Sequence, residues 1–210
     1  MAVNGCVGSA EVEAMLYILI FVLFLLAVWG LLLYLRKSQW DTIHRNLLDL
    51  EDHYEGKVIR RGFAARPFFY GKINGYSLTL NISSEKLANE RLNYFDISWG
   101  MPTSESFTIA EKKWLAKHRD QKVDILPEIE NDYGLKFALI HKDLNKAKQI
   151  MQHPAVLQFI NECKNLCYIF LGKTGIICEF SADNLAEASK FDSLVKRFEL
   201  IKNLGEAFKQ

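Results

Sequence analysis

Lysine and arginine are missing from the first thirty-five residues; the first basic side chain is Arg36. Met15 to Leu35, MLYILIFVLFLLAVWGLLLYL, has no charge, amide, serine or threonine at all. Four prolines in 210 residues leave no proline-rich linker, and neither a low-complexity tract nor an internal repeat is visible. Beyond Leu35 the chain has only three cysteines, Cys163, Cys167 and Cys178, an odd number that fits a complete disulfide framework poorly. No Gly-rich phosphate cradle, zinc-metallopeptidase helix or nucleophile elbow occurs. These absences exclude a secreted disulfide scaffold and leave no recognisable catalytic constellation.

The uncharged run is twenty-one residues long. As a helix it covers about 30 Å, the thickness of a bilayer's hydrocarbon core, so a transmembrane helix is expected over residues 15–35. It is too long for the apolar core of a cleavable signal, and no basic region precedes it. Cys6 has no apolar segment before it and is not expected to be a lipoprotein cysteine. Arg36, Lys37 and Arg45 follow the span directly. Positive-inside logic then puts residues 1–14 outside and residues 36–210 in the cytoplasm of a cell (inner or plasma) membrane. On that side the sequon Asn81-Ile82-Ser83 is a chance match.

All 26 basic residues lie beyond the span with 23 of the 25 acidic ones, so the soluble part carries only +3. That argues against a nucleic-acid protein, which needs a dominant basic face. The expected class is α+β: one N-terminal transmembrane helix, a helical stalk, and a small antiparallel sheet with C-terminal helices.

In the stalk, residues 36–56, Trp40, Ile43, Leu47, Leu50 and Tyr54 recur at helical spacing, with Gly56 as the expected terminator. Two heptads are too few for a coiled coil. The stripe has two possible uses, packing on the chain's own domain or docking a second copy or another subunit's helix.

Within residues 57–210, Lys57–Phe63, Pro67–Ile73, Tyr76–Ile82 and Arg91–Trp99 read as strands, with Asn74-Gly75 a strong hairpin signal. Ser83–Glu90 reads as a polar loop or short helix, Phe107–Lys122 as a basic helix around Trp114 and Leu115, and Leu135–Ile140 as a strand. Asp143 and Pro154 are expected to start two helices, the second running through Cys167. A hairpin, Tyr168–Leu171 and Ile176–Phe180, and a long helix capped by Asn184 complete the chain.

Five basic residues, Lys57, Arg60, Arg61, Arg66 and Lys72, stand between Gly56 and Ser84 without an acidic one. Anionic leaflets attract such clusters at about 1 kcal/mol per well-placed charge, so these are the candidate lipid contacts. The Lys112–Lys122 segment is a second, thinner candidate. Gly172-Lys173-Thr174 resembles the end of a phosphate loop, but Cys167 stands where the first glycine belongs and IICEF, a strand, follows. Cys163 and Cys167 with Cys178, His153 or His141 have no recognised metal-ligand spacing, and no cofactor is expected. The expected role is an accessory or scaffolding subunit of a membrane complex without catalysis; the alternative is a membrane-proximal ligand- or anionic-lipid-binding sensor domain.

Overall fold

The computed structural model describes residues 7–63, 65–87, 90–118 and 127–209. A single helix, α1 (Val7–His53), carries both the apolar run and the stalk without interruption. Its N-terminal part is a candidate membrane span: none of its most apolar window is buried, and Phe21, Leu25 and Leu32 are open to the surroundings. A core helix of a soluble protein would hide those side chains.

After α1 come β1 (Lys57–Ile59), β2 (Phe68–Ile73), β3 (Tyr76–Leu87), β4 (Glu90–Trp99), β5 (Phe107–Glu111) and α2 (Lys112–His118). Then follow β6 (Glu128–Glu130), β7 (Lys136–Ile140), α3 (Leu144–Met151), α4 (Pro154–Glu162), β8 (Leu166–Gly172), β9 (Gly175–Ser181), α5 (Leu185–Ala188) and α6 (Phe191–Ala207). The nine described strands form one antiparallel sheet in the order β1-β2-β3-β4-β9-β8-β5-β7-β6. The α+β class is as expected, and the sheet is larger than the small one expected.

Alternation sorts the sheet into two faces. Phe69, Leu80, Phe95, Ile97, Trp99, Ile109, Phe137, Ile169, Cys178 and Phe180 point to one face, where they meet Ile43, Leu47 and Leu50 of α1 and Leu194, Phe198 and Ile201 of α6 in a single core. On the other face α2 covers a smaller patch, with Leu115 against Ala110 and Ala138.

Several boundaries differ from expectation, each for a physical reason. Where a polar loop or short helix is expected over Ser83–Glu90, Ser83–Leu87 continues β3: Ser84, Glu85 and Lys86 pair with Asn93, Leu92 and Arg91, lengthening the β3–β4 hairpin, and residues 88–89 lie outside the described residues. Phe107–Glu111 is a strand paired by β7 and β8, and Lys112–His118 is helical. Arg119 and Lys122 lie outside the described residues. The helix from Pro154 stops at Glu162, because Leu166 is drawn into the ladder with Phe180; Cys163 and Cys167 therefore share no helix face. Asn184 caps only the short α5, accepting from the amides of Ala186 and Glu187, and α6 starts separately after Lys190.

The turns follow their chemistry. Asn74 and Gly75 both adopt positive φ (51° and 80°), as a two-residue hairpin between Ile73 and Tyr76 requires. At the end of α1 it is Glu55 that turns left-handed (φ 46°) and not Gly56. Gly56 serves close approach instead: a Cβ there would lie 2.4 Å from the Phe69 ring and 2.6 Å from the Tyr70 carbonyl oxygen.

Candidate functional site

The stalk stripe is used inside the domain. Trp40, Ile43, Leu47, Leu50 and Tyr54 are all buried, the middle three completely. Tyr54 meets Phe198 of α6 edge-on at 5.2 Å, and Asn46 of the same helix donates to the Ala186 carbonyl and to Ser189 Oγ, both at 2.9 Å. Of the two uses read from spacing, packing on the chain's own domain is the one the fold displays. Helical periodicity marks an apolar face but cannot say what covers it.

The five basic candidates are divided by the fold. β1 runs back along α1 and β2 returns, so their connection lies beside residues 37–41 while Lys72 donates its backbone N–H to the Tyr54 carbonyl at 2.8 Å. Residues 41 and 54 are about 20 Å apart along a helix. Lys72 is therefore at the end of the domain far from the candidate span, and Lys57 is exposed between the two ends.

Arg60, Arg61 and Arg66 gather at the span-proximal end, each in a different situation. Arg60 pairs with Asp41 and donates to the Phe63 and Ala65 carbonyls, clasping its loop to α1. Lys37 also holds Asp41, at 2.7 Å, and hydrogen bonds from Lys37 and Arg60 keep that carboxyl below its ordinary pKa. Arg66 donates to the Ile82 carbonyl and to Ser84 Oγ, and its guanidinium stacks 5.8 Å from the Trp40 ring. Burial lowers its pKa, with Arg91 and Arg36 adding repulsion. Arg61 is exposed over Phe68, and the exposed Phe63 lies under Lys37 Nζ at 5.3 Å. The rungs of the β3–β4 hairpin beyond Ser84 project past the start of β2 on this same side, bringing exposed Lys86 and Arg91. Arg36, Lys37, Phe63, Arg61, Lys86 and Arg91 thus form a basic collar around the exit of the apolar helix. Lys86 and Arg91 are members that linear charge counting did not reach, because only the β3–β4 pairing brings them to this end.

In the second basic candidate the aromatic and apolar side chains and Lys112 face the domain, while Lys113 and Lys117 are exposed. Trp114 Nε1 donates to Glu179 at 3.0 Å and its ring packs on Tyr168, Leu115 is buried, and Lys112 pairs with Glu128 at 3.0 Å. Gly172-Lys173-Thr174 sits in the β8–β9 turn, where Gly172 pairs with Gly175. A phosphate loop would need a helix there. Residues 103–106, between β4 and β5, form a tie: Thr103 Oγ1 donates to the Glu105 and Gly172 carbonyls, and Ser104 to the Phe208 carbonyl.

The three described thiols are buried and free. Burial pushes the Cys163 and Cys167 thiols up to about 12 and the Cys178 thiol well above its ordinary value, so all are neutral at physiological pH. No group of three metal-ligating side chains occurs among the described residues. One acid pair emerges only in the sheet: Asp96 faces Glu179 across β4 and β9, and burial raises the Asp96 pKa. With Trp114 donating to Glu179, this pair belongs to the packing of α2.

No family model and no curated protein matches the chain. Among solved structures, the crystal structure of the mycobacterial trehalose monomycolate transport factor A, TtfA, aligns with a TM-score of 0.45 at 9% identity, over 77% of this chain and 93% of that one. Likeness at that level carries no functional argument.

Proposed function

We propose that the chain is a single-pass, membrane-anchored accessory or scaffolding subunit of a membrane protein complex, with the domain beyond Leu35 cytoplasmic and without catalysis. One observation carries this reading: the helix that is apolar enough to span a bilayer continues unbroken into the core, so the domain is mounted on its anchor with no linker. Such a mount holds a domain at a set height and rotation, which suits positioning a partner better than capturing one at a distance. Since the stripe is spent internally, association falls to the lipid-facing side chains of the span and the outer face of α1, where Leu48 is exposed beside Arg45 and Asp49. Extraction in mild detergent followed by mass determination tests it. A particle heavier than one chain plus its micelle, containing a second copy or another subunit, is expected; a strictly monomeric particle removes the reading.

The basic collar supports a second reading, in which the domain's underside rests on anionic headgroups. Arg60 and Arg66 are unsuitable probes, because reversing either breaks the clasp or the hairpin tie. Arg61 is exposed and is the better one. With the full chain in nanodiscs, amide exchange over residues 60–66 is expected to be slower in phosphatidylglycerol than in phosphatidylcholine, and Arg61→Glu to remove the difference. Equal exchange in both lipids in the native chain rules this contact out.

A further inference from the structure

Arg197, on α6, is a mostly buried cation whose charge no carboxylate among the described residues neutralises. Its guanidinium lies over the rings of Phe180 (5.2 Å) and Phe95 (5.6 Å), cross-strand partners on β9 and β4. Of its five N–H donors, one reaches the Ala188 carbonyl at 3.5 Å, the limit of a hydrogen bond, and no carboxylate among the described residues pairs with it. Burial accordingly lowers its pKa. A buried charge is ordinarily paired, because desolvation without a partner costs several kcal/mol. Stacking on two rings recovers part of that, on the order of 1–2 kcal/mol per ring.

Arg197 lines a cleft of about 280 Å³ between the end of α4, the residues leading into β8, and α6. Lys164, Lys196, Asn165 and Ser193 line it with Arg197, over a floor formed by Phe180. Glu162 is the one acid on its wall; it accepts from Gln158 at 2.8 Å and stands 3.8 Å from Lys196. Three cations against one carboxylate leave a charge of +2. Cys163, also on the wall, is neutral and adds no negative charge.

We propose that this cleft binds a dianionic oxyanion, the phosphate group of a small molecule or of a headgroup, with the Arg197 guanidinium as its principal donor. A planar fork of N–H groups matches two phosphate oxygens at once, and the lysines add point charges at the rim. The charge balance selects a dianion over a simple carboxylate, and the small volume selects a compact ligand. The site is independent of the collar and of the subunit reading above.

The test is calorimetric titration of the full chain in detergent with inorganic phosphate, against sodium chloride at equal ionic strength. Saturable binding of phosphate and none of chloride is expected, weakened roughly tenfold or more by Arg197→Gln, as loss of a charged hydrogen-bonding group implies. Should that variant fail to fold, Lys196→Gln replaces a largely exposed side chain and is expected to weaken binding several-fold. A second arm compares nanodiscs of phosphatidylcholine with and without phosphatidic acid. Competition of phosphatidic acid with free phosphate assigns the site to a headgroup, and its absence assigns the site to a soluble phosphate compound. Phosphate behaving as chloride does, or binding unchanged in both variants, overturns the proposal.

Discussion

At the scale of single residues, the folded chain decides what each polar atom meets, and some meet nothing. Trp40 Nε1 and His44 Nδ1 of α1, and Tyr54 OH just past its end, are buried without a hydrogen-bond partner among the described residues. Burial also pushes the Tyr54 hydroxyl up to about 12. Removing an unsatisfied buried hydroxyl relieves about 1 kcal/mol of desolvation, and in a domain of this size that is about 2–4 °C. Tyr54→Phe is therefore expected to raise the thermal midpoint in detergent by that much; a fall would mean the hydroxyl has a partner. The thiols make a second prediction. With their pKa values raised by burial, Cys163, Cys167 and Cys178 are expected to resist iodoacetamide at pH 8 in the folded protein and to react only after unfolding. Rapid labelling of the native chain at any of the three, mapped by mass spectrometry, contradicts their placement. None of this is visible in the chain as written. Arg197 reads as one more solvated helix cation until the ladder sets Phe95 opposite Phe180 beneath it.

Among the elements, α1 is the one whose role changed most on folding. Its apolar run, its stripe and its approximate end were all legible, because both signals are local and periodic. What covers the stripe was not legible, since β2, α5 and α6 come from distant parts of the chain. Strand Phe107–Glu111 was hidden for a related reason: five residues run straight into a good helical sequence, and only flanking by β7 and β8 selects extension. The polar arm of the β3–β4 hairpin carries no clear alternation either, and forms because cross-strand pairing and the arginine contacts to Ser84 hold it. Core mutations separate the two uses of the stripe. Leu47→Ala is expected to destabilise the domain by about 2–5 kcal/mol, as cavity formation at a fully buried leucine does. Unchanged unfolding with altered particle size would instead point to an intermolecular role. On α6, a Cβ at Gly205 would stand 2.6 Å from Met101 Cε, 2.7 Å from Ile176 Cδ1 and 2.8 Å from the Trp99 ring. Gly205→Val is expected to cost about 1–3 kcal/mol through overpacking, read as a lower thermal midpoint.

For the whole molecule, the proposed anchoring would set the height and orientation of the domain, because the candidate span and the stalk are one helix. The C-terminal part of α1, from Trp40 on, packs into the core, so the part that would cross the bilayer cannot pivot without disturbing Ile43, Leu47 and Leu50. If α1 is anchored as proposed, Arg60, Arg61 and Arg66 lie on the side of the span, and Lys72 and the Asn74-Gly75 turn lie on the far side. The most direct test of this rigid mount is a pulsed electron-resonance distance between spin labels at Leu35→Cys and Asp49→Cys, in the full chain in nanodiscs. Both positions are exposed, and fourteen residues of continuous helix separate their backbones by about 21 Å. A single narrow distribution consistent with that separation is predicted. A broad or multimodal distribution would show a hinge between anchor and domain, and would contradict the account.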